Sequence, residues 1–266
     1  MVMKRRDFLA SCAAAVAAAQ FGCHRSSAPG KLPVLGLILP TDTRDLDEVT
    51  AMYGGQLSFV DVRLGLKNLT LKDYDSVISL IPAAARKLAA DGADAIELTG
   101  TSLTFYKGEA FNQKLRETVA KESGLPATTM STGVIEGLKA VNAKRVAAAT
   151  GYNDEVNGRL RAFLIEHGFE PVVITGMGIE DTVKAEKVPD EVLREFVLRV
   201  FKSAPKADSI LVSCGGFKTL EQIAPLEKLT GVPVISSMPH GLWAGARLVG
   251  LSGAAPGYGK LLSRKV

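Results

Sequence analysis

The sequence predicts an α/β protein of two pseudo-symmetric lobes, each a mostly parallel sheet flanked by helices, with the working site in the cleft between them. Three observations predict it. From Lys31 onward, short apolar runs alternate with longer amphipathic segments, the pattern of parallel strands covered by helices on both faces. Two stretches of the chain share the same turn chemistry at the same spacing. The length of 266 residues, 47% of them hydrophobic, suffices for one large domain or two small ones, each with a buried core.

Taken in order, Val34–Leu39 is an apolar run that reads as a buried strand, and Leu71–Ala90 as an amphipathic helix. Ala95–Thr99 is the next strand, and Glu109–Glu122 the helix after it. Gly124-Leu125-Pro126 leads through a strand end into a helix with Gly133 and Gly137. Val146–Thr150, a helix over Asn153–His167, Val172–Thr175 and a helix over Asp190–Ser203 repeat the alternation. Ile210–Ser213, a helix over Thr219–Leu229, Val232–Ser236 and a helix with Gly241 and Gly245 complete it. Asp94 precedes Gly100 as Asp208 precedes Cys214, and Gly231-Val232-Pro233 answers Gly124-Leu125-Pro126. The lobes are therefore expected at 31–143 with 237–266, and at 144–236. Ligands of parallel sheets bind at the C-terminal strand ends, which sets Gly100 and Cys214 on opposite walls of one cleft.

The first thirty residues stand outside that pattern. Lys4-Arg5-Arg6-Asp7-Phe8-Leu9 precedes an alanine-rich run reaching about Ala19, too short for a bilayer span, which takes about 20 apolar residues. Residues 1–22 read as an export signal peptide whose paired arginines resemble the twin-arginine motif. The precursor is expected to engage that export machinery and reach the periplasm; the alternative is a cytoplasmic protein with a basic tail. Ala17-Ala18-Ala19 offers a cleavage site, and Cys23 an alternative point of lipid anchoring. Residues 23–30 read as a linker of turn formers.

Composition narrows the partners. Thirty-two Lys and Arg against 28 Asp and Glu give a net charge of +4, too mild and too evenly spread to indicate nucleic acid. Three cysteines cannot build a disulfide framework in a chain this long. His24, His167 and His240 share no ligand spacing with a cysteine or with one another, so no metal site is expected. Gly176-Met177-Gly178 lacks the third glycine of a dinucleotide fingerprint.

Cys214 is the leading candidate for chemistry. It ends an apolar strand and precedes Gly215-Gly216, where missing side chains let backbone N–H groups approach a ligand. A thiol there serves as nucleophile or proton donor. Thr101 and Ser102 follow Gly100 at the matching strand end, as donors to a carboxylate or as helix caps. Tyr152 follows a third strand end, and His240 and Trp243 border the cleft on the last helix.

Gly100-Thr101-Ser102-Leu103-Thr104-Phe105-Tyr106, Thr128-Thr129-Met130-Ser131-Thr132, Ser213-Cys214-Gly215-Gly216 and Pro256-Gly257-Tyr258-Gly259 closely resemble the arylmalonate decarboxylase family of the aspartate/glutamate racemase superfamily. The resemblance covers nearly all of 33–263. It implies a cofactor-free two-lobed enzyme that decarboxylates a disubstituted malonate to a chiral monocarboxylic acid. It places the retained carboxylate on Thr101, Ser102, Tyr152 and the N–H groups of Cys214 and Gly215. It places the departing carboxylate in an apolar pocket of Leu66, Leu69 and Tyr74, with Pro40 and Leu103 nearby, and the catalytic cysteine on Cys214. Thr182 and Ala185 stand where that family carries bulky apolar residues, which widens or polarises the pocket. His240 replaces a small residue. Racemases and maleate isomerases of the superfamily carry a cysteine at both related strand ends, and Gly100 takes the place of the first. The alternatives are a racemase or isomerase of small carboxylic acids, or an exported dicarboxylate-binding protein without turnover.

Overall fold

The computed structural model describes residues 31–264; the export signal expected at 1–22, the linker expected at 23–30 and Cys23 lie outside them. Two four-stranded, all-parallel sheets carry the structure. The first contains β1 (Val34–Leu39), β2 (Ser58–Arg63), β3 (Ala95–Leu98) and β4 (Ala127–Thr129) in the order β2-β1-β3-β4. The second contains β5 (Arg145–Thr150), β6 (Glu170–Gly176), β7 (Ser209–Ser213) and β8 (Val234–Ser236) in the order β6-β5-β7-β8. The two orders are the same, so the repeat in the sequence is a repeat of topology. Its aspartates do the same work in both halves. Asp94 accepts the Val34 N–H at the start of β1 (2.8 Å), and Asp208 accepts those of Lys144 and Arg145 at the start of β5 (2.9 and 3.0 Å).

Helices cover the sheets: α1 (Asp47–Tyr53), α2 (Leu71–Ile78), α3 (Ile81–Ala90), α4 (Thr101–Phe105), α5 (Glu109–Ser123) and α6 (Met130–Ala140), then α7 (Asp154–Glu166), α8 (Thr182–Glu186), α9 (Asp190–Lys202), α10 (Leu220–Thr230) and α11 (Ser237–Leu248). The single helix expected over Leu71–Ala90 is two. Pro82 has no N–H to donate and its ring crowds the carbonyl of Ile78, so α2 stops there and α3 restarts. Strand β2 carries Asp61 and Arg63, paired at 2.9 Å, on a half-buried sheet edge, and so lacks the unbroken apolar run of β1.

Helices α6 and α11 cross where the halves meet. A side-chain carbon on Gly133 would stand 2.9 Å from the Gly241 Cα, and one on Gly137 would stand 3.3 Å from the His240 ring. Gly241 and Gly245 instead make room for the Glu97 carboxyl beneath α11. The paired glycines thus permit close packing, which a larger residue would push apart.

Candidate active site

The C-terminal ends of β1, β3 and β7 open on one cavity of ≈ 510 Å³, its mouth included, where the strand-end rule places a ligand. Pro40, Leu66, Leu69 and Leu103 form an apolar side. Gly100, Thr101 and Ser102 lie at the end of β3, and Cys214 and Gly215 at the end of β7. The Gly100 Cα stands 3.8 Å from where a side-chain carbon on Gly215 would be, so the two related strand ends face each other at near contact. Gly100 itself has φ +89°, and any side chain there would collide with the Pro40 ring.

Cys214 is 1% exposed. Burial pushes its thiol up to about 11, against the partial opposition of the Gly216 and Phe217 N–H groups and the Arg44 charge. At neutral pH it is therefore an S–H group, suited to giving a proton. Thr101 is fixed by a 2.6 Å hydrogen bond to Ser237 on α11. Its carbonyl accepts from Ser131 on α6 (2.9 Å), and Ser131 in turn accepts from Thr104 (2.7 Å). This hydroxyl chain ties α4 to both crossing helices. The Thr128–Thr132 segment forms the turn into α6, whose first turn is capped by Thr129 onto the Thr132 N–H (3.1 Å). The Pro256–Gly259 segment leads into a tail held on α10 by Glu227, which accepts the Lys260 N–H (2.7 Å).

Tyr74, expected in the apolar pocket, and Tyr152, expected on the retained carboxylate, both pack close to Ser102 and Cys214. Tyr74 is fully buried, edge-on to Tyr106 with centroids 5.3 Å apart. Its hydroxyl lies near Ser102 without a well-formed hydrogen bond, and burial drives the phenol well above its ordinary pKa. Tyr152 is likewise buried; its hydroxyl meets Ser213 Oγ at 3.1 Å and lies near Thr101 and Ser102. Burial raises its pKa strongly. Thr182 does line the cavity, but its hydroxyl donates to the Lys67 carbonyl (3.1 Å), so its polarity is spent on the backbone. Ala185 packs against Gly216.

His240 and Trp243 do not border the cleft. Both are buried in the α11 contact. His240 Nδ1 accepts the Ser236 N–H at 3.0 Å, and burial lowers its pKa to about 4, which keeps the ring neutral. Trp243 lies under the Arg247 guanidinium, 4.5 Å from its ring centre.

The cavity also includes residues not anticipated: Thr41, Arg44 and Glu186, with Met130 and Met238. Glu186 accepts from Thr41 and Thr43 (3.2 and 3.0 Å). Among the described residues, Arg44 and Glu186 are the only charged groups on the wall. The signal for Thr41 and Arg44 was the repeat itself, because the loop after β1 corresponds to the Tyr152 loop after β5. Among the described residues no three His, Cys, Asp or Glu side chains are grouped as metal ligands, and no helix is long and apolar enough to cross a membrane.

The chain matches the family model of arylmalonate decarboxylase over residues 35–262. It is 42% identical over 230 residues to arylmalonate decarboxylase of Bordetella bronchiseptica, spanning 86% of this chain and 96% of that protein. The crystal structure of arylmalonate decarboxylase superposes with TM-score 0.78 at 42% identity, covering 86% of this chain and 99% of the other. A double mutant of arylmalonate decarboxylase in liganded form gives 0.83 at 41%, over 87% and 99%. The maleate isomerase of Pseudomonas putida S16 shares the fold, with TM-score 0.80 at 21% identity over 89% and 100%. With the match running from β1 to the C-terminal tail and the cavity at the shared strand ends, the chain belongs to the arylmalonate decarboxylase family of carboxy-lyases.

Proposed function

We propose that the chain decarboxylates a disubstituted malonate, of the aryl class its relatives are named for, to a chiral monocarboxylic acid without a cofactor. The carrying observation is one buried thiol, Cys214, the only free cysteine among the described residues, on a cavity whose facing strand end is Gly100. The departing carboxylate sits against Leu66 and Leu69, beside Pro40 and Leu103. A carboxylate stripped of water costs several kcal/mol, and leaving as neutral carbon dioxide relieves that cost. The C–C electron pair moves onto the retained carboxylate as an enediolate. Thr101, Ser102 and the Gly215 N–H receive its charge, each donor contributing about 3–4 kcal/mol when well aimed, with Tyr152 ordering the hydroxyls from behind. The Cys214 proton passes to the α-carbon from one face, and water returns a proton to the thiolate. A racemase needs an acid and a base on opposite faces, and Gly100 supplies neither.

Phenylmalonate incubated with the protein is expected to release one equivalent of carbon dioxide and leave phenylacetate. Saturable binding with no carbon dioxide would overturn the reading in favour of dicarboxylate capture.

We further propose that residues 1–22 direct export through the twin-arginine machinery, with Cys23 available for lipid attachment. Arg5→Lys with Arg6→Lys should hold a full-length precursor in the cytoplasm. An unchanged periplasmic or membrane-bound fraction on cell fractionation contradicts this.

A further inference from the structure

We propose that Arg44 and Glu48 are positioning residues, a buried clamp that reaches from the β1 side of the cleft and fixes the loop carrying Cys214. Arg44 pairs with Glu48 one helical turn on, and their side chains are 4% and 9% exposed. Arg44 Nη1 donates to the Gly216 carbonyl and Nη2 to that of Phe217, each at 3.4 Å. Glu48 Oε1 accepts the N–H groups of Thr219 and Leu220 at 2.8 and 2.7 Å. The contacts therefore reach four residues of the stretch that directly follows Cys214.

Helix α10 has no capping side chain of its own at Thr219. Glu48 supplies the missing acceptor from the other sheet's side, with its negative charge at the positive end of the helix. An exposed pair, Lys218 with Asp45 at 2.5 Å, closes the same seam outside. A buried ion pair is a weak device for stability, because desolvating both charges offsets their attraction. Its natural use is to fix one geometry, and the geometry fixed here is that of Cys214 Sγ and the Gly215 N–H. Arg44 also lines the cavity and holds the Cys214 thiol below where burial alone would put it.

The inference rests on the decarboxylase reading for its activity readout, and an exchange readout keeps it testable without that reading. The full chain is compared with Arg44→Met, Arg44→Lys and Glu48→Gln. Tyr53→Phe serves as a destabilised control, since its hydroxyl bonds Gly253 away from the loop (2.8 Å). In hydrogen–deuterium exchange, amides 216–220 are expected to exchange about tenfold faster or more in Arg44→Met and Glu48→Gln. With methyl(phenyl)malonate, kcat should fall about tenfold or more while KM stays within about threefold. The product's enantiomeric excess should fall as solvent competes with a displaced thiol. Arg44→Lys should recover part of the kcat, and Tyr53→Phe should change none of these. Unchanged exchange at 216–220 overturns the clamp. Faster exchange with unchanged kcat and enantiomeric excess overturns its positioning role and leaves it structural. If Arg44→Met does not fold, Glu48→Gln, which keeps its length and an acceptor, decides. If the unsubstituted chain decarboxylates no malonate, the proposed function fails while exchange still decides whether the clamp holds the loop.

Discussion

Cys214→Ala is expected to fold normally and to lose a factor of about 10²–10⁴ in turnover, the range a positioned general acid supplies. The fold survives because the change removes one atom and creates no unpaired charge. Cys214 is the only free cysteine among the described residues. No second thiol among the described residues takes over the proton. Burial holds the thiol pKa at about 11, so the form that gives the proton is present from acid through neutral pH. As far as Cys214 is concerned, turnover falls only as pH rises toward 11. The check is kcat on phenylmalonate across pH, alongside a melting curve. A folded Cys214→Ala within about threefold of wild-type turnover contradicts proton donation by this residue.

Glu97 is expected to control stability with pH. It lies on β3, fully buried, and neither carboxyl oxygen has a hydrogen-bond partner. Desolvation alone raises its pKa from 4.5 to about 8. The unfolded chain releases this proton near 4.5 and the folded chain keeps it until about 8. Stability from this group is thus complete below 4.5 and declines as pH climbs through that window, by roughly 5 kcal/mol at most. Glu97→Gln keeps the shape without the proton. It should match the parent near pH 4.5 and be several kcal/mol more stable at pH 8.5, by the arithmetic just given. His240, lowered to about 4, titrates in both proteins and cancels in the difference. Urea unfolding at the two pH values measures it. An unchanged gap between the proteins contradicts a raised Glu97 pKa.

What the chain disclosed in advance followed the physics of burial. Strands β1, β5 and β7 sit inside their sheets, and apart from the exposed Arg145 they are buried throughout, so continuous runs marked them. The edge strand β2 has no continuous apolar run, because Asp61 and Arg63 interrupt it, and this hid it. Helices α4 and α8 have five residues each, too short to display a helical period. The aspartates at 94 and 208 revealed the duplication because each closes the same backbone gap. The repeat pointed to the loop that carries Arg44, but the pairing of Arg44 and Glu48 with the Cys214 loop was unreadable for a different reason. Charged residues in a polar loop or a first helical turn are ordinarily solvated, and only the fold brings Glu48 against residues 171 and 172 positions away. Tyr74 and Tyr152 came with the family likeness alone, because a lone tyrosine in an apolar stretch carries no sign of the hydroxyls it will meet.

The central claim is that one thiol, Cys214, protonates a carbon that has just lost carbon dioxide, and does so from one side only. Decarboxylation of methyl(phenyl)malonate in deuterated water, followed by chiral chromatography and proton NMR of the acid formed, tests it most directly. The account predicts one enantiomer in large excess with a single deuterium at the α-carbon. Racemic product, or no loss of carbon dioxide at all, contradicts it.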